Sequence, residues 1–270
     1  MTRTVLTALP TLLIVGVGGY ALVCAFMYFS QERSIFFPQP NDARLRQQYS
    51  AQRIGIATTS AARLEGWWIE NPQATTSAVV LYFGGNAEDV LYTASAASSI
   101  DARAVVVVNY RGYGESTGEP SQEALYEDGL AIYDYAIKRG VPPEHIAVMG
   151  RSLGSGVASM LAGARPVSAA ILITPFDSLA SVAAYHNPFL PVRLLLRHPF
   201  PSTDWAKRTH APALILAAEH DFVVPATHAR KLFEAWAGEK QFHVLPQTGH
   251  NDIEMHPDYY RLVNEFLAKQ

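Results

Sequence analysis

The chain has a single cysteine, Cys24. No disulfide can close within it, and no multi-cysteine zinc site can form. Cys24 lies in a hydrophobic stretch. Val23 stands where a bacterial lipobox has a small residue, so Cys24 reads as an apolar member of that stretch and not as a lipidation site. Charge is scarce too: charged residues make up 17% of the chain and the formal net charge is −3, against a usual charged share of about 25%. There is no basic face and no run of Lys and Arg, which argues against nucleic acid as a partner. Tyr110-Arg111-Gly112-Tyr113-Gly114 has glycines but no Gly-Lys-Ser/Thr ending, so it is no phosphate-cradling loop. His250, Asp252 and His256 match no common zinc spacing. No metal or cofactor is expected. Internal repeats and low-complexity tracts are lacking as well.

What is abundant is apolar surface, with 49% hydrophobic residues. From Thr4 to Gln31 there is no charged residue, and the core of that stretch, Val5 to Phe29, is almost wholly apolar. A membrane-spanning helix needs about 20 such residues. A signal peptide has a shorter apolar region of about 7–15 residues followed by a small-residue cleavage site. Here the stretch ends in Phe26-Met27-Tyr28-Phe29, which offers no such site and looks like an interfacial aromatic belt. Gly16, Gly18 and Gly19 would weaken a helix in water but are tolerated in a membrane. One N-terminal membrane helix is expected. Arg3 flanks one side and Arg33, Arg44 and Arg46 the other, which leaves the side of the membrane open.

Beyond a polar linker, strands and helices alternate. Arg53–Ala57 and Leu64–Ile69 read as a hairpin. Ala78–Phe83, Ala104–Asn109, Ile146–Gly150, Ala169–Thr174 and Ala213–Ala218 are continuous apolar runs, as strands buried on both faces should be. Gln241–Leu245 reads as a last strand. Helices are expected over Asp89–Ile100, Glu123–Arg139, Gly154–Ala164, Thr227–Ala237 and Tyr259–Ala268. In Glu123–Arg139 the apolar residues Tyr126, Leu130, Tyr133 and Ile137 recur at helical spacing. This alternation implies a mostly parallel sheet flanked by helices. Phe176 to Lys207, with four prolines and the run Leu194-Leu195-Leu196, fits neither a strand nor a long helix. It reads as a short cap over the sheet's carboxyl edge, where ligand sites of α/β proteins lie.

Gly150-Arg151-Ser152-Leu153-Gly154 is a G-x-S-x-G between a predicted strand and a predicted helix, the context a nucleophile elbow requires. Small residues on either side make room for a serine at the tip of a tight turn. A serine hydroxyl needs a general base, commonly a histidine oriented by a carboxylate. In this fold the chain order is Ser, acid, His. Asp221 follows the strand ending near Ala218. Of nine histidines, only His250 sits in a Gly-flanked loop just after the last strand. Glu219 reads as the end of its strand, and Asp252 is too near His250 in sequence to be its usual partner. Ser152, Asp221 and His250 are the expected catalytic triad. The backbone N–H of Leu153 is one expected oxyanion donor. The loop Gly84-Gly85-Asn86-Ala87, after the first buried strand, supplies the other, assigned to the N–H of Asn86.

These motifs resemble those of membrane-anchored α/β-hydrolases of the bud-emergence-protein-like group, related to the membrane-bound abhydrolase-domain proteins and the serine aminopeptidase grouping. The resemblance runs from Ser34-Ile35-Phe36-Phe37-Pro38 through Tyr82–Ala87, Asn109–Gly118, Gly150–Gly156 and the Asp221 loop to Gly249-His250. It departs once, with Gly84 where the group has histidine. It implies hydrolysis of ester or thioester bonds on acyl chains. The expected organisation is an anchor over 1–31, a linker over 32–50 and an α/β-hydrolase domain over 51–270 with a cap at about 176–207. The leading reading is a serine esterase acting on a small-molecule or lipid acyl ester. A thioesterase or peptidase with the same triad, and a non-catalytic membrane-tethered binding protein, are the alternatives.

Overall fold

The computed structural model describes residues 2–270, with side chains from residue 13 onward. The side chain of Arg3 and those of 4–12, which belong to the apolar stretch, lie outside the described ones. Helix α1 (Thr2–Ile35) continues past the expected anchor boundary at residue 31. The amide of Phe36 still bonds to Glu32 O at 2.8 Å. Pro38, which disfavours a helical conformation at Phe37, then ends it. Within α1, Leu13–Ile35 is long and apolar enough to cross a membrane by length and composition, and its most apolar 18 residues are not buried within the domain. The expected linker holds a helix of its own, α2 (Ala43–Gln48), capped by the Asp42 carboxylate, which accepts from the amides of Arg44 and Leu45.

Strands β1 (Arg53–Ala57) and β2 (Arg63–Glu70) form the expected antiparallel hairpin, with Ile56 opposite Leu64. The chain then alternates β3 (Val79–Phe83), α3 (Val90–Ser95), β4 (Ala104–Val108), α4 (Gln122–Lys138), β5 (Ile146–Arg151), α5 (Leu153–Ala164) and β6 (Ala169–Ile173). After three short helices, α6 (Leu179–His186), α7 (Val192–Leu195) and α8 (Ser202–Ala206), come β7 (Ala213–Ala218), α9 (Ala226–Ala235), β8 (Lys240–Leu245) and α10 (Asp258–Leu267). The eight strands form one sheet in the order β1-β2-β4-β3-β5-β6-β7-β8, parallel from β4 to β8. Helix α3 is shorter than the expected Asp89–Ile100, because Ala97–Ser99 tightens into a 3-10 turn.

Every residue of β3, β4, β6 and β7 is buried, because helices cover both faces of the parallel sheet. On one face Leu81, Val106, Val148 and Leu172 pack with Leu125 and Ile132 of α4 and Val157 of α5. On the other, Val80, Val107, Met149 and Ile171 pack with Leu91 of α3 and Val263 and Phe266 of α10. Register brings the carboxyl ends of the strands to one edge: Phe83 pairs with Gly150, Arg151 with Ile173, and Ala218 with Leu245. The loops after β3, β5, β7 and β8 therefore leave the sheet side by side.

Residues 176–207 are not one uniform unit. Phe176, Phe200, Ser202 and Ala206 are buried, and α8 backs onto α5, whose Gly163 would place an added Cβ 3.0 Å from Trp205 O. Between them the chain rises to the surface. Val192 is buried, Leu190, Leu195 and Leu196 are half-buried, and Phe189 and Leu194 are 88% and 85% exposed.

Candidate active site

The turn from β5 into α5 forces Ser152 to φ 50°, ψ −117°. A non-glycine residue held in such a sparsely populated region costs on the order of 1–3 kcal/mol and persists only when its surroundings dictate it. Here they do. The Ser152 amide donates to Ile173 O at 2.9 Å, and Ser152 O accepts from the Ser155 amide at 2.9 Å and the Ser155 hydroxyl at 2.6 Å. The chain turns so tightly that a Cβ on Gly150 would lie 2.3 Å from Gly154 O, and one on Gly154 would lie 2.0 Å from Phe83 O.

His250 follows β8, and its Nε2 lies 2.9 Å from Ser152 Oγ. Its Nδ1 lies 2.7 Å from Asp221 Oδ2. The Asp221 side chain is only 1% exposed. A buried carboxylate is tolerable when hydrogen-bonded, and Asp221 Oδ1 accepts from the amides of Val223 (2.9 Å) and Val224 (2.7 Å). An ionised carboxylate only accepts, so His250 Nδ1 carries the proton in that bond, and Nε2 is left to accept from the serine hydroxyl. The two rival acids have other partners. Glu219 Oε2 accepts from the Gln247 amide at 2.8 Å, and Asp252 Oδ1 from the Gly249 amide at 2.6 Å. Both shape the loop that carries His250.

Leu153 is the first residue of α5, so its amide is among those with no intrahelical acceptor. The loop after β3 passes over Ser152: a Cβ on Gly85 would lie 3.9 Å from Ser152 Cβ. Asn86, in that loop, is held from three sides. Its carbonyl accepts from the Tyr113 hydroxyl at 2.6 Å and the Phe37 amide at 3.2 Å, and its Nδ2 donates to Ile35 O at 3.2 Å. Tyr110 OH donates to Gly84 O at 2.9 Å. Burial raises the pKa of both tyrosines, so both remain protonated donors. Where the resembling group has histidine, Gly84 leaves the space to Val90 Cγ1 and the Glu88 carboxylate, which an added Cβ would meet at 3.2 and 3.3 Å.

Reading the sequence overlooked two charged residues that join these loops. Arg151 donates through Nη2 to His250 O at 3.0 Å and through Nη1 to Glu88 Oε2 at 3.3 Å. Burial works against its charge, and Glu88 together with Tyr82 and Glu254 outweighs that, so its pKa is raised. Glu88 Oε2 in turn accepts from the Gly85 amide at 2.8 Å, while Oε1 accepts from Tyr82 OH at 2.7 Å and Thr93 Oγ1 at 2.9 Å. The one signal available was a pair of opposite charges, Arg151 at the end of an otherwise apolar strand and Glu88 in the loop after another. A cleft of about 630 Å³ opens beside this pair, lined by Glu88, Tyr92, Arg151, Glu254 and Tyr259 among others. None of Ser152, Asp221 and His250 lines it.

A family model described as alpha/beta hydrolase fold matches residues 78–209. An uncharacterized protein of Mycobacterium tuberculosis is 36% identical over 253 residues, covering 92% of this chain and 90% of that protein. The lysophosphatidylserine lipase ABHD12 of Macaca fascicularis is 30% identical over 240 residues, 75% of this chain and 58% of the lipase. Among solved structures, the Pyrococcus furiosus esterase Pf2001 superposes with a TM-score of 0.70 at 18% identity, covering 87% of this chain and 97% of that one. At that identity the likeness concerns the fold alone. The family resemblance expected from the sequence is borne out by these matches.

Proposed function

The chain belongs to the α/β-hydrolase family, and from that premise we propose that it is a serine hydrolase that cleaves carboxylic acyl esters through an acyl-enzyme. The observation that carries this reading is the hydrogen-bonded run from Ser152 Oγ through His250 to Asp221 at the carboxyl edge of the sheet. Ser152 Oγ attacks the ester carbonyl carbon while His250 Nε2 takes its proton. Asp221 keeps the imidazole in the required tautomer and stabilises the imidazolium. The carbonyl oxygen becomes an oxyanion that accepts from the amides of Leu153 and Asn86. Two such donors matter because losing one typically lowers the rate by about 10²–10³. The tetrahedral species collapses as His250 returns the proton to the leaving alcohol, which departs. Water, deprotonated by His250, then attacks the acyl carbon, and the carboxylic acid leaves Ser152 with its hydroxyl restored.

The rigid seating of Asn86 by Tyr113, Phe37 and Ile35 supports its part, since a preorganised donor needs no rearrangement as charge develops. The name of the mammalian lipase supports an acyl ester of a lipid as substrate. Helix α1 is proposed as the membrane anchor. Its exposed apolar residues, among them Leu13, Ile14, Val17, Leu22 and Phe26, have no water-soluble core to join.

The test is Ser152→Ala. A fluorophosphonate probe should label the wild-type chain and not the variant. Ester hydrolysis should fall on the order of 10⁶-fold, the loss seen when such a nucleophile is removed. Labelling of a folded Ser152→Ala protein would overturn the assignment.

A further inference from the structure

We propose that the surface segment between α6 and α8 is a second membrane-embedded element, with Phe189 covered by the acyl chains of one bilayer leaflet and Leu194 closer to its headgroups. The proposal rests on α1 being a membrane anchor, and it fixes how deep the segment must sit beside it.

The depth follows from one contact. Tyr20 OH donates to Phe189 O at 2.9 Å, and side chains on a helix lean toward its N-terminus, so Phe189 O meets α1 at the level of Tyr20 or deeper. The apolar stretch Val5–Phe29 measures about 37 Å at about 1.5 Å per residue, against about 30 Å of bilayer hydrocarbon. Suppose the whole surplus of about 7 Å projects on the domain side. Tyr20, about 13 Å along the helix from Phe29, still lies about 6 Å inside the hydrocarbon. Any other placement of the stretch sinks it further. Phe189 cannot stay in water while Tyr20 is in lipid.

Part of the segment's backbone is already satisfied within the chain. Backbone polar groups in lipid must be satisfied internally. Pro188 and Pro191 have no N–H to satisfy. The amides of Leu194 and Leu195 bond to Pro191 O, Leu196 to Val192 O, and Leu190 to Asn187 O. Helix α1 supplies further partners. Besides Tyr20, Gln31 donates to Leu195 O at 3.0 Å and accepts from the Arg197 amide at 2.7 Å. Gln31, the polar end of the uncharged stretch, is only 6% exposed because it is spent on this seam. Charge appears where the headgroups would begin: Arg197 pairs with Glu32 at 3.1 Å and lies over the Tyr28 ring. Arg193, beside Leu194, has a stem long enough to reach the headgroups.

The same surface continues to the proposed catalytic loops. His186, at the end of α6, lies 2.9 Å from Val223 O, and Phe222 and Val223, next to Asp221, are 85% and 51% exposed. If the hydrolase reading holds, acyl esters residing in that leaflet are the substrates that reach Ser152. The insertion itself does not depend on that reading.

The experiment uses the full chain with Cys24→Ser and one new cysteine at a time, Phe189→Cys, Leu194→Cys, Leu22→Cys or Glu70→Cys. Each is labelled with an environment-sensitive fluorophore and reconstituted into phosphatidylcholine vesicles brominated in their acyl chains. Leu22 reports α1. Glu70 lies at the opposite end of the sheet, where it pairs with Ala104 at the start of β4. Circular dichroism melts confirm that each labelled chain is folded. The expected result is blue-shifted, bromine-quenched emission at 189, matching position 22, weaker quenching at 194, whose neighbour Leu195 is held at Gln31, and neither effect at 70. Quenching at 22 but water-like emission at 189 and 194 would overturn the proposal and leave the anchor standing. Water-like emission at 22 as well would remove the anchor reading, and the proposal with it.

Discussion

Arg151 donates to the main-chain carbonyl of His250 at 3.0 Å although the two residues stand 99 positions apart. The residue before the proposed nucleophile thus holds the loop of the proposed base. Through Glu88 it also holds the amide of Gly85, next to the proposed oxyanion donor. A displacement of about 1 Å at a reacting group can lower a rate about 10²-fold.

Arg151→Gln is therefore expected to lower kcat for ester hydrolysis by about 10²-fold, with a smaller change in KM. It should also destabilise the domain by about 3 kcal/mol, because Glu88 is left with a largely buried, unpaired charge. The double variant Arg151→Gln/Glu88→Gln removes that charge. Urea unfolding should show stability largely restored while kcat stays low. Recovery of both together would mean that Arg151 acts only by neutralising Glu88.

Two glycines give opposite expectations. A Cβ on Gly154 would lie 2.0 Å from the backbone oxygen of Phe83, which cannot rotate away, whereas one on Gly55 meets nothing within 4 Å. Gly154→Ala should displace β3 from the elbow and cost at least the roughly 1–3 kcal/mol of an overpacked site. Gly55→Ala should be neutral or stabilise by about 0.4–1 kcal/mol through the unfolded chain. Thermal unfolding of the two variants side by side checks both. Equal melting temperatures would show that the elbow yields more easily than its geometry implies.

The turn of the β1-β2 hairpin is tied to α4 by a carboxylate. Glu127 accepts from Thr59 Oγ1, from the amide and hydroxyl of Ser60 and from Arg111 Nη2. Burial pushes its pKa upward, but these partners outweigh burial and hold it at about 2, below the ordinary 4.5. A depressed carboxylate adds stability that is complete above the unfolded value and fades as pH falls toward the folded one. Glu127→Gln should lower the urea midpoint near pH 7, and the gap from wild type should narrow between about pH 4.5 and pH 2. A gap of the same size near pH 3 as near pH 7 would rule out the carboxylate's charge as its source.

Much of this protein was readable residue by residue, because the deciding interactions are local or periodic. Runs such as Val79–Phe83 and Ala104–Val108 are strands buried on both faces because nothing polar interrupts them. The strained turn at Ser152 is announced by the glycines at 150 and 154, which alone leave room for it. Asp221 and His250 could be picked out because each follows a strand whose parallel register delivers its end to the same edge. The apolar length of the N-terminal stretch needs no tertiary information either. What the chain could not declare in one dimension was which distant groups would meet. Arg151 looked like the variable position of a motif until folding set it between Glu88 and His250. Tyr110 and Tyr113 looked like loop residues until they closed on Gly84 and Asn86. The apolar residues from Phe176 to Ala206 are alike in composition, yet Phe176 and Phe200 are core while Phe189 and Leu194 face outward beside α1. Hydrophobicity states that a side chain should leave water. Only the three-dimensional packing decides whether it leaves for the core, for a neighbouring helix or for lipid.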